Sequence, residues 1–421
     1  MVGDPAEVQA RADSLLAAGD PDGAVDVLDR AVRAMARPHP VLAINLGRLL
    51  WPRGAVERAT GLLEAATAAA PGEAAGWLNL GDARAAADDP RAETAYRRAI
   101  ALRPDLPSLH WSLATDLLVH GRPMRAWPHF LWRHRDPAVR ARPSPYLRLE
   151  SRDRPPARLL LWSNEGIGED LRYAGLLPAL ARRGIAAVVE ADPRLVPLLG
   201  RSFPGLDVVA RAWPPAPAAA APAIGAQATL ADLWPLLAPD GPPPVAAAYL
   251  RPGPQTATLR ARYRGLGEGP LVGVSWRSVR TPFAAAKSIS PADLAPLLAR
   301  PAVFVSLQHG EAGTAAGDGL HRDASIDPLV DLDAFAAQVA AMDLVITTSS
   351  TTAHMAGALG VPTWVALHRG PPITPYWRAG RDAVDWYPSM RVWRQATPGR
   401  WDDVLRAIGD ALDHWLAGRT R

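Results

Sequence analysis

The sequence predicts an α-helical repeat array followed by two α/β lobes, an α + α/β chain. Three observations carry this. Motifs in the first third recur at 33–34 residues. From residue 158 onward, short apolar runs of strand length alternate with helical patterns. That alternation breaks at residues 252–270 and then restarts. A chain of 421 residues has room for all three parts.

The repeat comes first. Asn45-Leu46-Gly47 recurs as Asn79-Leu80-Gly81, 34 residues later, and Trp77 recurs as Trp111. Pro71 and Pro104 close successive units, because proline lacks the N–H and clashes with the preceding turn. A fixed period in this range marks a solenoid. Small residues (Gly81, Ala95, Ala99) let two helices approach, while Trp77, Leu80 and Tyr96 fill the gaps. The units read as 5–36, 40–71, 74–104 and 107–135. This pattern resembles the tetratricopeptide repeat. Such a stack presents a concave groove, usually to a peptide or protein; the other reading is a structural cap on the following domain. Trp127, Phe130 and Leu131 lie at helical spacing among arginines and read as a packing face rather than a nucleic-acid surface.

Residues 136–157, rich in Pro and Arg, read as a linker. The first lobe, 158–255, opens with a strand at 158–162, a glycine turn, a helix from 170 to 183, a strand at 186–190 and a helix at 193–202. A Pro/Ala run at 213–223 reads as a flexible surface loop. The second lobe, 256–400, has strands at 271–275, 303–307, 344–347 and 363–367, with helices at 291–299, 333–341 and 352–359 between them. An amphipathic helix, within 401–421, ends the chain. Strand–helix alternation of this kind argues for parallel sheets. Two such halves form a cleft into which strand C-termini and helix N-termini point.

Composition excludes several classes. There are no cysteines, hence no disulfides, thiol catalysis or cysteine-bound metal. Net charge is only +4, too balanced for a nucleic-acid-binding arm. The high isoelectric point arises because arginine supplies every basic residue except Lys287. No apolar run is long enough for a membrane span, and no secretion signal opens the chain, so a cytoplasmic protein is expected.

Three places stand out for chemistry. The turn Asn164-Glu165-Gly166-Ile167-Gly168-Glu169-Asp170 gathers carboxylates at a helix start, where they can bind, catalyse or simply favour the helix N-terminus. In Thr347-Thr348-Ser349-Ser350-Thr351-Thr352-Ala353-His354, six consecutive hydroxyl residues close a strand and open a helix. That is suited to a phosphate or diphosphate, though hydroxyls also cap helices without a ligand. Trp276-Arg277-Ser278 and Lys287 follow another strand; an ammonium is a compact charge that an arginine fork does not replace. Asp331-Leu332-Asp333 matches a metal-binding Asp-x-Asp, but Asp333 opens an apolar helix and reads as its N-cap. No metal site is expected.

Together these pieces resemble bacterial proteins that fuse tetratricopeptide repeats to a glycosyltransferase module similar to the ADP-heptose:lipopolysaccharide heptosyltransferases. The matching segments are 164–173, 274–297, 304–310, 343–362 and 377–395, with Ala353-His354-Met355-Ala356-Gly357 through Pro362 the most specific. The resemblance implies a GT-B fold of two Rossmann-like lobes and inverting, metal-independent transfer, with no cofactor beyond a nucleotide-sugar co-substrate. It implies an acceptor-side loop at Glu165, Gly166 and Gly168, and Glu169 as general base with Asp170 beside it. The donor would lie on Lys287, Ser349, Ser350, Thr351, Thr352 and His354, with Gln308, Trp276 and Arg277 near the nucleotide. The repeats would hold a protein acceptor; flagellin is one that related fusions imply. Two features depart from the family: Ser349-Ser350 stand where it often has Asp-Thr, and the loop 276–288 lacks the usual Asn-Asp-Arg run. The alternative is therefore a catalytically degenerate scaffold that binds a protein partner.

Overall fold

The computed structural model describes residues 4–136, 149, 157–163, 165–278, 284–310, 319–369 and 374–418. Most of the expected linker, Asn164 and residues 279–283 lie outside these. The chain forms two compact units, one of Met1–Val139 with Arg369–Ala379, the other of Arg140–His368 with Gly380–Arg421.

The first unit holds eight α-helices among its described residues: α1 (Pro5–Ala17), α2 (Pro21–Ala34), α3 (Pro40–Leu50), α4 (Val56–Ala69), α5 (Ala74–Ala86), α6 (Ala92–Leu102), α7 (Pro107–Val119) and α8 (Pro123–Phe130). They pair as four hairpins at the expected boundaries. Proline occupies the first position of α1, α2, α3, α7 and α8, where its missing N–H costs nothing. The repeat interlocks as the small-residue pattern requires. A Cβ on Gly47 would lie 2.7 Å from Leu63, and one on Gly81 would lie 2.5 Å from the Tyr96 ring. The Trp77 indole N–H donates to the Pro71 carbonyl at 2.9 Å. One repeat later, it is His110 Nε2 that meets the Pro104 carbonyl, at 3.0 Å, rather than the Trp111 expected from the period. Trp111 is exposed, as is Leu131, so of the three residues expected to pack, Trp127 and Phe130 are the buried ones.

Arg369 and residues 374–379, expected in the second α/β lobe, belong instead to the unit that holds the repeats. The Ala379 N–H donates to the Val119 carbonyl at 3.1 Å, and Arg369 pairs with Asp88 at 3.7 Å. Gly121 has φ +70, and the Arg378 guanidinium occupies the space its Cβ would need.

Among its described residues the second unit contains two sheets. The first has strands β1 (Arg158–Trp162), β2 (Ala186–Ala191), β3 (Asp207–Ala210) and β4 (Ala226–Thr229), all parallel, in the order β3-β2-β1-β4. The helix foreseen at 170–183 is two, Ile167–Ala174 and Leu177–Arg182. The Pro/Ala run is not a loose loop: Ala219 is buried against Leu160, Trp162, Val188 and Ile224. The second sheet has β5 (Leu271–Ser275), β6 (Val303–Ser306), β7 (Leu320–His321), β8 (Leu344–Thr348), β9 (Thr363–Leu367), β10 (Ala383–Val384) and β11 (Tyr387–Arg394). Its order is β10-β11-β9-β8-β5-β6-β7, parallel except for β10 against β11. Apolar residues of β5, β6 and β8 pack with the helix Pro291–Leu298 and with Val404, Ile408 and Leu412 of the last helix, Asp402–Ala417. Strands β1, β5 and β9 are buried on both faces, which is why they read as continuous apolar runs.

Arg201, in helix Val196–Ser202, grips Asp333 of helix Leu332–Ala340, with Nη1 3.1 Å from Oδ2. Arg194 donates to the Leu329 carbonyl at 2.7 Å. The N-cap of that helix is Asp331, which accepts from Asp333 N and Ala334 N at 3.0 and 2.9 Å. Asp333, expected to be the cap, is freed by Asp331 for the arginine. No described helix is long and apolar enough to cross a membrane.

Candidate functional site

Each sheet has a point where neighbouring strands continue in opposite directions. In the first it is β1, flanked by β2 and β4; in the second it is β5, flanked by β6 and β8. Loops leaving the carboxyl ends of such strands diverge and open a crevice. The three stretches singled out in the sequence all leave such ends: the glycine turn follows β1, Trp276–Ser278 follows β5, and Ser349–Ser350 follows β8.

After β8 the helix Thr351–Ala358 begins with Ser350 as N-cap, yet no side chain caps it. The Ser350 hydroxyl lies 3.1 Å from that of Thr347 and is turned back toward the strand. The first backbone N–H groups of the helix are thus left for another acceptor. After β5 the loop is zipped at its base. Ile289 N donates to the Trp276 carbonyl at 2.9 Å, and Ser278 N to the Ser288 hydroxyl at 3.1 Å. This holds Lys287 inward, 7% exposed. Burial pushes its ammonium down from the usual lysine value, against the pull of the Glu169 charge. Among the described residues none gives this ammonium a hydrogen bond or an ion pair. A buried, uncompensated cation calls for an anion.

Three of the expected donor contacts have structural work instead. Gln308 Oε1 accepts from Trp276 N and Arg277 N at 3.1 and 2.9 Å, and its Nε2 donates to the Arg277 carbonyl at 3.2 Å. It shapes the loop, with both ends of its amide engaged there. Trp276 is 1% exposed within the β5–β6–β8 core. Thr352 is buried and donates to the Ser275 hydroxyl at 3.4 Å. Ser349 is buried, Ser350 and Thr351 are half-buried, and Arg277 is exposed.

On the opposite side, helix Ile167–Ala174 starts at Gly166, also without a side-chain cap. Gly166 has φ −87, so neither turn glycine serves an unusual backbone conformation. Glu165 and Glu169 are half-buried, and Glu165 N donates to the Ser163 hydroxyl at 3.1 Å. Asp170 is 3% exposed. Burial drives its carboxyl up to about 7, opposed by the Ser163 hydroxyl and by Arg211, 3.7 Å away. A carboxyl raised from 3.8 to about 7 holds its proton longer in the folded chain than in the unfolded one. Its contribution to stability is therefore complete in acid and is lost as pH rises across that window. Asp170→Asn is expected to flatten this slope, read as melting temperature against pH for both proteins. Parallel curves would remove the assignment.

His354 joins the two sides. A Cβ on Gly168 would lie 2.8 Å from His354 Cδ2. The ring is 3% exposed, and its Nδ1 is 2.9 Å from the Tyr387 hydroxyl. Burial, with the Arg172 and Lys287 charges nearby, holds the imidazole well below the usual histidine range. At neutral pH it is uncharged. The sequence reading also left Arg172, Tyr249, Trp386 and Tyr387 without roles. Arg172 lies over the Tyr173 and Trp386 rings, 4.0 and 4.8 Å from their centroids. The Tyr249 hydroxyl donates to the Leu171 carbonyl at 3.0 Å. A buried arginine among aromatics has no spacing signature; only the fold assembles it. Among the described residues no three His, Asp or Glu side chains are grouped to hold a metal ion.

Residues 15–80 match the family model for the tetratricopeptide repeat, so the N-terminal unit carries these repeats. Over 367 residues the chain is 31% identical to Protein FlbA of Caulobacter vibrioides, covering 81% of this chain. The chain spans 60% of the length of that curated relative. Among solved structures, MamA from Desulfovibrio magneticus RS-1, residues 41 to end, is 26% identical, covering 30% of this chain and 72% of that one, with a TM-score of 0.28. PilF of Pseudomonas aeruginosa is 19% identical, covering 30% and 59%, with a TM-score of 0.28. A repeat-bearing helical region, the kind of module that binds other proteins, thus precedes a mixed α/β region.

Proposed function

We propose that the α/β region transfers a glycosyl group, with inversion and without a bound metal, from a nucleotide sugar to an acceptor hydroxyl, and that the repeats recruit the protein bearing it. One observation carries this reading: a buried Lys287 ammonium with no hydrogen bond or ion pair among the described residues, beside an uncapped helix start and within electrostatic reach of Glu169. In the reaction the acceptor O–H gives its proton to the Glu169 carboxylate. The oxygen attacks the anomeric carbon as the bond from that carbon to the phosphate oxygen breaks. The departing nucleoside diphosphate takes the electron pair, and Lys287 with the N–H groups of Thr351 and Thr352 stabilises the charge as it grows.

The test is a thermal-shift screen against ADP-, UDP-, GDP- and CMP-linked sugars. A donor at one hundred times its Kd adds about 2.7 kcal/mol to the folded state. One nucleotide class is expected to raise the melting temperature of the wild type and to lose that effect in Lys287→Ala. Equal shifts in both proteins would remove Lys287 from the donor site, and no shift with any donor would remove the reading. The scaffold alternative draws on Ser349-Ser350 and the altered loop after β5; measurable turnover excludes it.

A further inference from the structure

Charge is unevenly spread along the repeats. Residues 4–90 hold thirteen carboxylates and eight arginines, whereas residues 91–136 hold eight arginines and four carboxylates. In the acidic stretch arginines find carboxylates close by: Arg53 meets Asp22, Arg84 meets Glu64, and Arg33 and Arg58 share Asp29. The basic stretch is less balanced. Around Glu93, in the first turn of α6, three arginines converge: Arg97 Nε at 2.8 Å, Arg122 Nη1 at 2.8 Å, and Arg125. The Glu93 side chain is 13% exposed, while those of the three arginines are about half exposed. One carboxylate offsets one of the three charges and leaves a surplus at the surface. Arg98, the next residue on α6, is exposed and has no ion pair among the described residues. The Arg378 guanidinium lies over Gly121, one residue before Arg122, and Met124, between Arg122 and Arg125, is exposed.

Exposed ion pairs add little to a fold, so this cluster does more for a ligand than for stability. Guanidinium forks match carboxylates in pairs, and arginine clusters are a recurrent means of reading acidic segments. A nucleic acid is the less suitable occupant. It carries charge along its whole length and would run from this patch onto the acidic stretch of the same unit. A short acidic peptide stays within the patch, and Met124 offers it an apolar contact.

We propose that the surface of α6 and α8 around Glu93 binds a carboxylate-rich segment of a protein partner through Arg97, Arg122 and Arg125. This deepens the recruiting role proposed for the repeats and rests on that reading for its use; the binding itself needs neither donor nor turnover.

The experiment is fluorescence anisotropy of the full chain with a labelled peptide of alternating glutamate and glycine. A glutamine–glycine peptide and a single-stranded DNA of matching length run beside it. Saturable binding of the glutamate peptide is expected, weakening as salt is raised because exposed charges are screened. Arg122→Gln with Arg125→Gln should weaken it about tenfold or more. Glu93→Gln keeps the size of the side chain and removes the internal competitor, so it should tighten binding by about threefold. Arg30→Gln with Arg33→Gln, on α2 in the acidic stretch, should leave the affinity within about twofold. Absence of binding, unchanged affinity in the Arg122/Arg125 variant, or weaker binding in Glu93→Gln overturns the surface. DNA bound as tightly as the peptide overturns the peptide as its occupant. A donor screen without any thermal shift would sink glycosyl transfer and leave this measurement standing, whereas failure here leaves the donor site untouched.

Discussion

Glu169→Gln is expected to lower kcat by about two to four orders of magnitude, the usual worth of a positioned general base, while leaving the thermal shift produced by the donor intact. The change keeps size and hydrogen bonding and removes only the ability to take a proton. The two neighbouring carboxyls differ in surroundings, and that difference assigns the role. Glu169 is half-buried and its charge is felt at Lys287. Asp170 lies beneath the turn, 3% exposed, with its carboxyl raised to about 7. A group that remains half protonated at neutral pH and out of contact with solvent is poorly placed to meet an acceptor. Asp170→Asn should therefore change kcat within a fewfold while changing the pH dependence of stability. The reverse pattern, with Asp170→Asn inactive and Glu169→Gln active, would exchange the two assignments. A parallel loss of donor binding in Glu169→Gln would instead mean that its main service is to hold Lys287.

What the sequence revealed and what it hid divide along a physical line. Strands buried on both faces are apolar runs bounded by turn residues, so β1, β5 and β9 were legible at their observed ends, as was the repeat with its Gly47 and Gly81 contacts. Short strands with little apolar content, such as Ala226–Thr229 and Leu320–His321, carry no such signal; pairing with neighbours makes them strands. The Pro/Ala run at 213–223 looked loose because its composition is loose, yet Ala219 has a place in a core that composition does not report. At the site, charge and hydroxyl content drew attention to Lys287, Glu169 and Ser350. Whether a polar residue faces a ligand or serves the backbone depends on distances between segments far apart in the chain. Gln308 meets Arg277 across 31 residues, and Tyr249 meets Leu171 across 78. Neither relation leaves a mark in local spacing.

Gly168→Val should be the most disruptive single change at the site, costing about 1–3 kcal/mol in denaturant unfolding and most of the turnover. The usual explanation for a glycine in such a turn, a left-handed backbone, does not apply, because Gly168 sits in the first turn of a helix outside the positive-φ region. Its requirement is steric. The His354 ring fills the place a side chain would take, with Cδ2 2.8 Å from a Cβ there, closer than real Cβ contacts come. The ring has little room to retreat, being held at Nδ1 by Tyr387 and buried on all sides. Added bulk must then push the two helices apart and carry Glu169 away from Lys287. A cycle of Gly168→Ala, His354→Ala and the double variant isolates this contact. Alanine at 354 makes the space that alanine at 168 needs, so the double variant should be more stable than the sum of the single losses predicts, by more than about 0.5 kcal/mol. Additive losses would mean that the turn and the ring do not constrain one another. The interlobe alignment would then have to come from Arg201 and Asp333, which Arg201→Ala would expose as a fall in transfer with the Gly168 turn intact.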